Sequence, residues 1–464
     1  MRFLSIYFLL NCLVLMPVVG QQSLSAEQFI DIVREYHPVI KQANILIDRA
    51  KAENISAKAG FDPTFYVETD QKTFDGKNYY NYVNPELKIP TWYGIEIKTG
   101  VEDNRGLFTS PETSLGQTSY LGISMPLAKN LMMDKRRAAL KQAAVFQKMS
   151  QSERQLMRND LLYEAYSVYW NWVKEYQTVQ ILNEAITINQ DRYRFVKISY
   201  QQGERAALDT VEALTQLQNI QFQQNEALLK FKNASLELSN FLWVADNTPY
   251  QLPADVRPNA DWQKANDLAF NLAELIQTAK LNHPKLKMYD FKLEGLEIER
   301  RLKYQSLLPT LNVRANLLSK GYNALSTLDN STIRNNYKFG IDFGIPLRFS
   351  EGRGEYQKAK LKIKDTNFDL SLTRLEIENK VRAYYNEFEN LKTQVVLYEA
   401  TYKNFQTLFK GEEVRFRIGE STLFLINSRE NKVLETAQKL VEIMTKRQKS
   451  QVAVRWAMGE LATE

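Results

Sequence analysis

The sequence predicts a mainly α-helical chain that carries two groups of β-strands and is built as an internal duplication, and three observations predict it. The only two histidines open the same pattern twice: His37-Pro38 and His283-Pro284 lie 246 residues apart, as do Pro63 and Pro309, each of which opens a β-like stretch. Pro126-Leu127 then recurs as Pro346-Leu347 at an offset of 220, and Gly203-Glu204 as Gly419-Glu420 at an offset of 216. Four landmarks in one order mark a repeated unit. Finally, proline is absent between Leu127 and Thr248, where Gly203 is the only glycine, and absent again after Pro346. Helix breakers so sparse leave two long stretches of helix, each broken at one chosen point.

Met1 to Gly20 has one early positive charge, Arg2, an apolar stretch from Phe3 to Val14, and small residues at Val18 and Gly20. It reads as a secretory signal peptide with Gln21 as the expected mature N-terminus, so the chain is expected to be exported. Cys12, the only cysteine, falls inside this segment. The mature chain is therefore expected to carry no disulfide, thiol nucleophile or cysteine metal site. No later run of about 18 apolar residues is available for a transmembrane helix, which leaves a β-barrel as the route into a membrane.

The first repeat is expected over 21–244, as a helix, strands at about 63–127, a long helix, a tip at about 200–208 and a return helix. Leu162, Ala165, Tyr169, Trp172, Tyr176 and Val179 alternate spacings of three and four, the mark of a seam packed against another helix. From Asp134 to Tyr200 a helix extends about 100 Å, while Ser25–Lys58 and Leu208–Trp243 cover about 51 and 54 Å. Two short helices end to end match one long one. A linker at 245–262 holds Pro249, Pro253 and Pro258. The second repeat, 263–464, has a short helix at Asp267–Tyr304, strands at about 309–347, a long helix at Glu355–Arg417, a tip at about 416–422 and a short helix at Leu423–Met458.

In the strands, Leu311, Val313, Ala315 and Leu317 alternate with Asn312, Arg314 and Asn316, and Tyr337, Phe339, Ile341, Phe343 and Ile345 alternate with Lys338, Gly340, Asp342 and Gly344. Ile95, Ile97, Thr99 and Val101, like Leu121, Ile123 and Met125, do the same in the first repeat. Two readings fit: half-exposed strands of a soluble sheet, or transmembrane strands with lipid outside and water inside. The aromatic group Tyr79, Tyr80, Tyr82, Trp92 and Tyr93 suits an interfacial girdle. So few strands cannot close a membrane barrel alone, and open edges are not tolerated in lipid, so the barrel reading requires several copies to share one barrel.

These elements, in this order and twice over, resemble the outer membrane efflux protein (TolC) family. The residues that carry the resemblance are the His-Pro pairs, the strand exits Met125-Pro126-Leu127 and Ile345-Pro346-Leu347, and the tips Tyr200-Gln201-Gln202-Gly203-Glu204 and Phe416-Arg417-Ile418-Gly419-Glu420. The resemblance covers essentially the whole mature chain. It implies a homotrimer in outer-membrane lipid, with a shared β-barrel continuing into an α-helical barrel through the periplasm. Such a channel-tunnel is a passive exit duct for a tripartite efflux pump or a type I secretion system. Its tips, here Tyr200, Gly203, Glu204, Phe416, Gly419 and Glu420, would meet a periplasmic adaptor (membrane fusion) protein linked to an inner-membrane RND (resistance-nodulation-division) or ABC transporter.

The chain departs from the family at two places. Asp209 matches a family position whose carboxylate helps hold a closed tip, although a plain helix N-terminal acid fits as well. Leu425 and Ser428 stand where better-studied members carry gate acids, and Phe416 replaces a tyrosine. A periplasmic gate at Asp209, Leu425 and Ser428 is thus expected to close by packing, with Phe416 and Leu425 meeting across the axis. The first repeat also holds 26 more residues between Pro63 and Pro126 than the second holds between Pro309 and Pro346. They fit either four strands, at Phe65–Thr73, Tyr79–Ile89, Gly94–Asp103 and Tyr120–Leu127, or an extracellular hairpin above the family's usual barrel of twelve strands.

Other classes find little support. Both histidines sit beside a proline at equivalent positions and suit helix entry. No Gly-rich phosphate loop or triad signature is present, so no enzyme, cofactor or metal role is expected. The net charge of +6 is spread along the chain, and clusters such as Lys135-Arg136-Arg137 come without a base-stacking module, so nucleic acid is not expected as a partner. The rival is a non-conducting periplasmic coiled-coil scaffold, which explains the helices without the strands. The cargo, whether drugs, metal ions or polypeptides, is not written in this chain.

Overall fold

A computed structural model describes residues 23–108, 110, 114–260, 262, 269–322 and 335–463. The expected signal peptide, Gln21 and the start of the predicted helix at Asp267 lie outside the described residues, as does 323–334 within the predicted second strand region. The main elements, in chain order, are α1 (Ala26–Tyr36), α2 (Pro38–Lys58), β1 (Thr64–Phe74), β2 (Lys77–Pro90), β3 (Glu96–Arg105), β4 (Gly116–Pro126), α3 (Lys135–Gln201) and α4 (Ala207–Ser239). The second half follows with α5 (Leu272–Asn282), α6 (Pro284–Tyr304), β5 (Thr310–Lys320), β6 (Tyr337–Gly344), α7 (Ser350–Arg417) and α8 (Leu423–Met458).

Each short entry helix of the sequence reading is two helices. Both break at the histidine, where His37 and His283 take ψ of 133° and 123°. A residue before proline is pushed out of the α region, so the His-Pro pair bends the chain and restarts it. Each imidazole Nδ1 then accepts a hydrogen bond from the amide two residues on, Val39 at 3.3 Å and Lys285 at 3.1 Å, and so serves the new helix as a cap. The linker is also more than a loop: Arg257-Pro258 pairs in parallel with Ser23-Leu24. At the second long helix the start moves five residues toward the N-terminus, through Gly352, where any Cβ would strike the Ser306 carbonyl. Only glycine fits that approach, so a residue that reads as a breaker sits inside the helix.

The chain divides into two compact units. One gathers the described residues of Met1–Ile40, Asp160–Phe270 and Ala383–Trp456. Its core contains the predicted seam: Leu162, Ala165, Tyr169, Trp172 and Val179 are buried, and Tyr176 is partly so. Phe29 of α1 stacks on Tyr169, whose hydroxyl donates to the Leu24 carbonyl at 2.9 Å, and the Trp172 indole donates to Ser235 of α4 at 3.1 Å. The two fully buried rings of the seam, Tyr169 and Trp172, thus each find a polar partner.

The other unit gathers Lys41–Asn159, Asn271–Arg382 and the described residues of Ala457–Glu464. It carries a six-stranded antiparallel sheet in the order β6-β5-β4-β3-β2-β1, in which the two repeats meet where β4 pairs with β5. The register runs Phe65↔Leu87, Leu87↔Thr99, Thr99↔Leu121, Leu121↔Leu317 and Leu317↔Tyr337, which puts these residues on one face. Below the sheet, Met133, Ala138 and Val145 of the α3 region pack on Ile298 of α6, and Lys303 pairs with Glu355 at 2.7 Å.

Candidate functional site

The two long helices end in the same hydrogen-bond pattern. At the end of α3 the Gly203 amide donates to the Tyr200 carbonyl at 3.0 Å and the Glu204 amide to Ser199 at 2.9 Å; at the end of α7 Gly419 donates to Phe416 at 3.2 Å and Glu420 to Arg415 at 2.8 Å. This is a Schellman ending, in which one left-handed residue lets the chain turn back over the last carbonyls. Gly203 and Gly419 supply it, with φ of 79° and 83°. No atom lies within 4 Å of where a Cβ would stand at either glycine, so backbone conformation alone selects the residue.

Around these turns Tyr200, Glu204 and Glu420 are exposed, together with the apolar Leu208, Ile418 and Phe424. Leu425 is 41% exposed and Ser428 is exposed, both on the first turns of α8. Phe416 is different. Its ring is 3% exposed, inside a cluster with Val196, Ala213, Phe409, Leu423 and Ile426. Of Phe416 and Leu425, both expected to meet across an axis, the Phe416 ring packs within its own chain and Leu425 is the exposed one.

Arg205 joins the two tips. Its guanidinium lies over the Phe416 ring at 4.0 Å, donates to the Phe416 carbonyl at 3.3 Å and faces the Asp209 carboxylate at 3.7 Å. Asp209, in the first turn of α4, thus does two things at once: it meets the positive end of its helix and it holds the arginine that covers Phe416. The second tip is tied to itself as well, by the Ser421 hydroxyl on the Glu412 carboxylate at 2.5 Å.

Next along the helices lies a buried polar cluster that sequence reasoning missed. Arg192 of α3 and Glu430 of α8 make a two-pronged ion pair at 2.7 and 3.2 Å, with Asn189 donating to the same carboxylate at 2.9 Å. Asn427 accepts from Arg192 at 3.4 Å and donates to Glu212 of α4 at 3.3 Å, and the arginine also lies over Phe409 of α7 at 5.7 Å. The cluster as a whole, with Asn427 reaching Glu212, thereby touches all four helices of the tip region. Its signal in the sequence is a charge on an apolar seam, which looks the same as a charge facing water until the partner helix is known.

On the sheet, the two faces differ as the alternation requires. One carries Phe65, Val67, Leu121, Ile123, Phe339, Ile341 and Phe343, all exposed, the last at 68%. The other is polar: Glu86 accepts from the hydroxyls of Tyr66 and, at 2.6 Å, of Tyr120, and Arg314 pairs with Asp342 at 2.9 Å. Among the described residues no group of His, Asp and Glu is placed to hold a metal ion, and no helix is long and apolar enough to cross a membrane.

Residues 275–460 match the outer membrane efflux protein family. A search of curated proteins finds no match. Among solved structures the chain is similar to the CmeC outer membrane channel of Campylobacter jejuni, at 16% identity and a TM-score of 0.66, over 94% of this chain and 85% of that one. It is similar too to the outer membrane protein VceC of Vibrio cholerae, at 11% identity and 0.65, over 94% and 96%. The open state of the MtrE outer membrane channel of Neisseria gonorrhoeae gives 12% identity and 0.65, over 94% and 89%. At these identities the likeness is one of fold, and it extends over nearly the whole chain.

Proposed function

With an outer membrane efflux protein domain over residues 275–460, and the fold of these outer membrane channels over nearly the whole chain, as the premise, we propose that the protein is a homotrimeric outer-membrane channel-tunnel. It serves as the passive exit duct of a tripartite efflux pump or a type I secretion system. Two repeats, 21–244 and 263–464, joined by 245–262, supply each protomer with two helical tips. Tyr200, Glu204 and Glu420 are the exposed polar groups offered there to a periplasmic adaptor, on turns set by Gly203 and Gly419. Phe416 acts from beneath, as the packed base of the second turn.

The observation that carries this reading is the sheet whose apolar face is exposed while its other face is hydrogen-bonded and charged. Such a sheet suits a place where one side meets lipid and the other water. A non-conducting scaffold has no use for it. Gating belongs to the tip region, where Leu425 and Ser428 are exposed on α8 and Asp209 steadies Arg205. The energised partner, an RND or ABC transporter in the inner membrane, and with it the cargo, is chosen beyond the duct.

The test is ion conductance of the purified protein in planar bilayers, together with the mobility of unheated and heated samples in electrophoresis. A duct conducts and runs as an oligomer until heated; a scaffold does neither.

A further inference from the structure

The inserted hairpin β2–β3 has no counterpart among the described residues of the second repeat, and its place in the sheet says what it does. Three features set it within the wall and not above it. It is paired along its length on both sides, from Thr64↔Lys88 to Phe74↔Lys77 against β1 and from Glu96↔Ser124 to Asn104↔Gly116 against β4. Its turn between β2 and β3 returns to the helix side: Trp92 stacks on Phe61, just past α2, at 4.1 Å, and Glu96 pairs with Arg136 of α3 at 2.9 Å. A hairpin standing above a barrel would not bring that turn back to the helices. Its outward face continues the apolar surface through Val83, Leu87, Ile97 and Val101, in register with Leu121 and Leu317. A loop in water needs no such face.

The two edges of the sheet complete the reasoning. β1 and β6 have no outer strand partner among the described residues. With six strands in antiparallel order they run in opposite directions, so β6 of one copy can pair antiparallel with β1 of the next, and so on around a ring. Lipid does not tolerate open edges, so closure is required of any copy that enters it.

We infer that each of three copies contributes all six strands to the barrel, that β2–β3 is lipid-facing wall, and that β6 of one copy meets β1 of its neighbour at the seam. This rests on the duct reading above. At a strand spacing of ~4.8 Å and a tilt of ~40°, such a wall is about 36 Å across between backbones, against about 24 Å for a twelve-stranded one. It belongs with barrels wide enough to hold an aqueous channel.

Because the chain's only cysteine is Cys12, the test uses single cysteines in a Cys12→Ser background, in the full-length protein in native outer membranes. Outward positions Leu87→Cys, Ile97→Cys and Val101→Cys are compared with inward positions Glu86→Cys, Lys98→Cys and Glu102→Cys for reaction with a water-soluble maleimide. The expected result is labelling about tenfold or more slower at the outward set, as at Ile123→Cys. Double variants pairing Val67→Cys or Thr69→Cys with Phe339→Cys, Ile341→Cys or Phe343→Cys are then oxidised, and at least one register gives covalent dimers and trimers. Equal, fast labelling of both faces of β2–β3 while Ile123→Cys stays protected overturns the inference and leaves the duct standing with a hairpin above a narrower barrel. Fast labelling at Ile123→Cys as well, with no crosslinked oligomer in any register, overturns both.

Discussion

The Arg205 guanidinium lies over the Phe416 ring, 4.0 Å from its centre, and so ties the turn that ends the first long helix to the turn that ends the second. The contact is reinforced by the arginine's hydrogen bond to the Phe416 carbonyl and its pairing with Asp209. Removing it should loosen the second tip without disturbing the rest of the molecule.

Arg205→Ala is expected to weaken the tip by about 1 kcal/mol, which raises the locally open population about fivefold. Phe416 is a chymotrypsin site that the closed tip buries, so cleavage after it should speed up by that factor. Arg205→Lys should rescue little, because a single ammonium lacks the guanidinium fork that covers the ring while reaching both the Phe416 carbonyl and Asp209. Unchanged cleavage in Arg205→Ala would remove Arg205 from the clamp.

The Arg192–Glu430 pair is nearly closed to solvent on both sides, with side chains 6% and 4% exposed. Glu430→Ala leaves a buried guanidinium without its carboxylate and should cost about 3–5 kcal/mol, while Arg192→Met with Glu430→Leu should recover most of that loss. Thermal unfolding of the single and double variants in detergent measures both. A double variant as unstable as Glu430→Ala would mean that the polar cluster itself, and not merely its charge balance, holds the four helices.

Gly203→Pro and Gly419→Pro impose a negative φ where the turn needs about +80°. Each is expected to abolish or strongly reduce export while oligomer mobility and barrel assembly stay as in the parent. Gly203→Asn, which tolerates the left-handed region, should export nearly normally. Normal export by both proline variants would take the tips out of adaptor docking.

Burial first, and then the positive charges of Lys380 and Lys285, push the His283 imidazole down to about 4. A base whose folded value lies below its unfolded value binds fewer protons when folded, so stability is complete above pH 6.5 and falls progressively as pH drops from 6.5 toward 4, by on the order of 3 kcal/mol. His283→Asn keeps a side chain that can cap α6 and should flatten that slope. A melting temperature equally pH-sensitive in parent and variant would assign the effect to another group.

Much of this was legible in the sequence because it depends on local rules. Strand alternation located β3, β4, β5 and β6, and the glycine at each tip marked a turn needing positive φ. The break at each histidine was also written there, in the proline that follows it, although helical periodicity on both sides masked it. What the residues did not disclose depends on partners far away in the chain. Phe416 was expected to pack across an axis, whereas its ring is buried beside Val196 and Ala213, and the partner of Arg192, Glu430, comes from α8, 238 residues further along the chain. The fate of the extra 26 residues turned on a pairing choice, hairpin above or strands within, that alternation alone treats alike.

The two long helices differ by a single residue in length, 67 against 68. They behave as a matched pair of rulers. An insertion or deletion in one would shift its tip out of level with the other, and any shift that is not a whole number of seam repeats would also rotate its greasy stripe away from its neighbour. Evolution can therefore lengthen or shorten this protein only by editing both copies together, in steps of about seven residues. The length of this helical pair is inherited as a quantum.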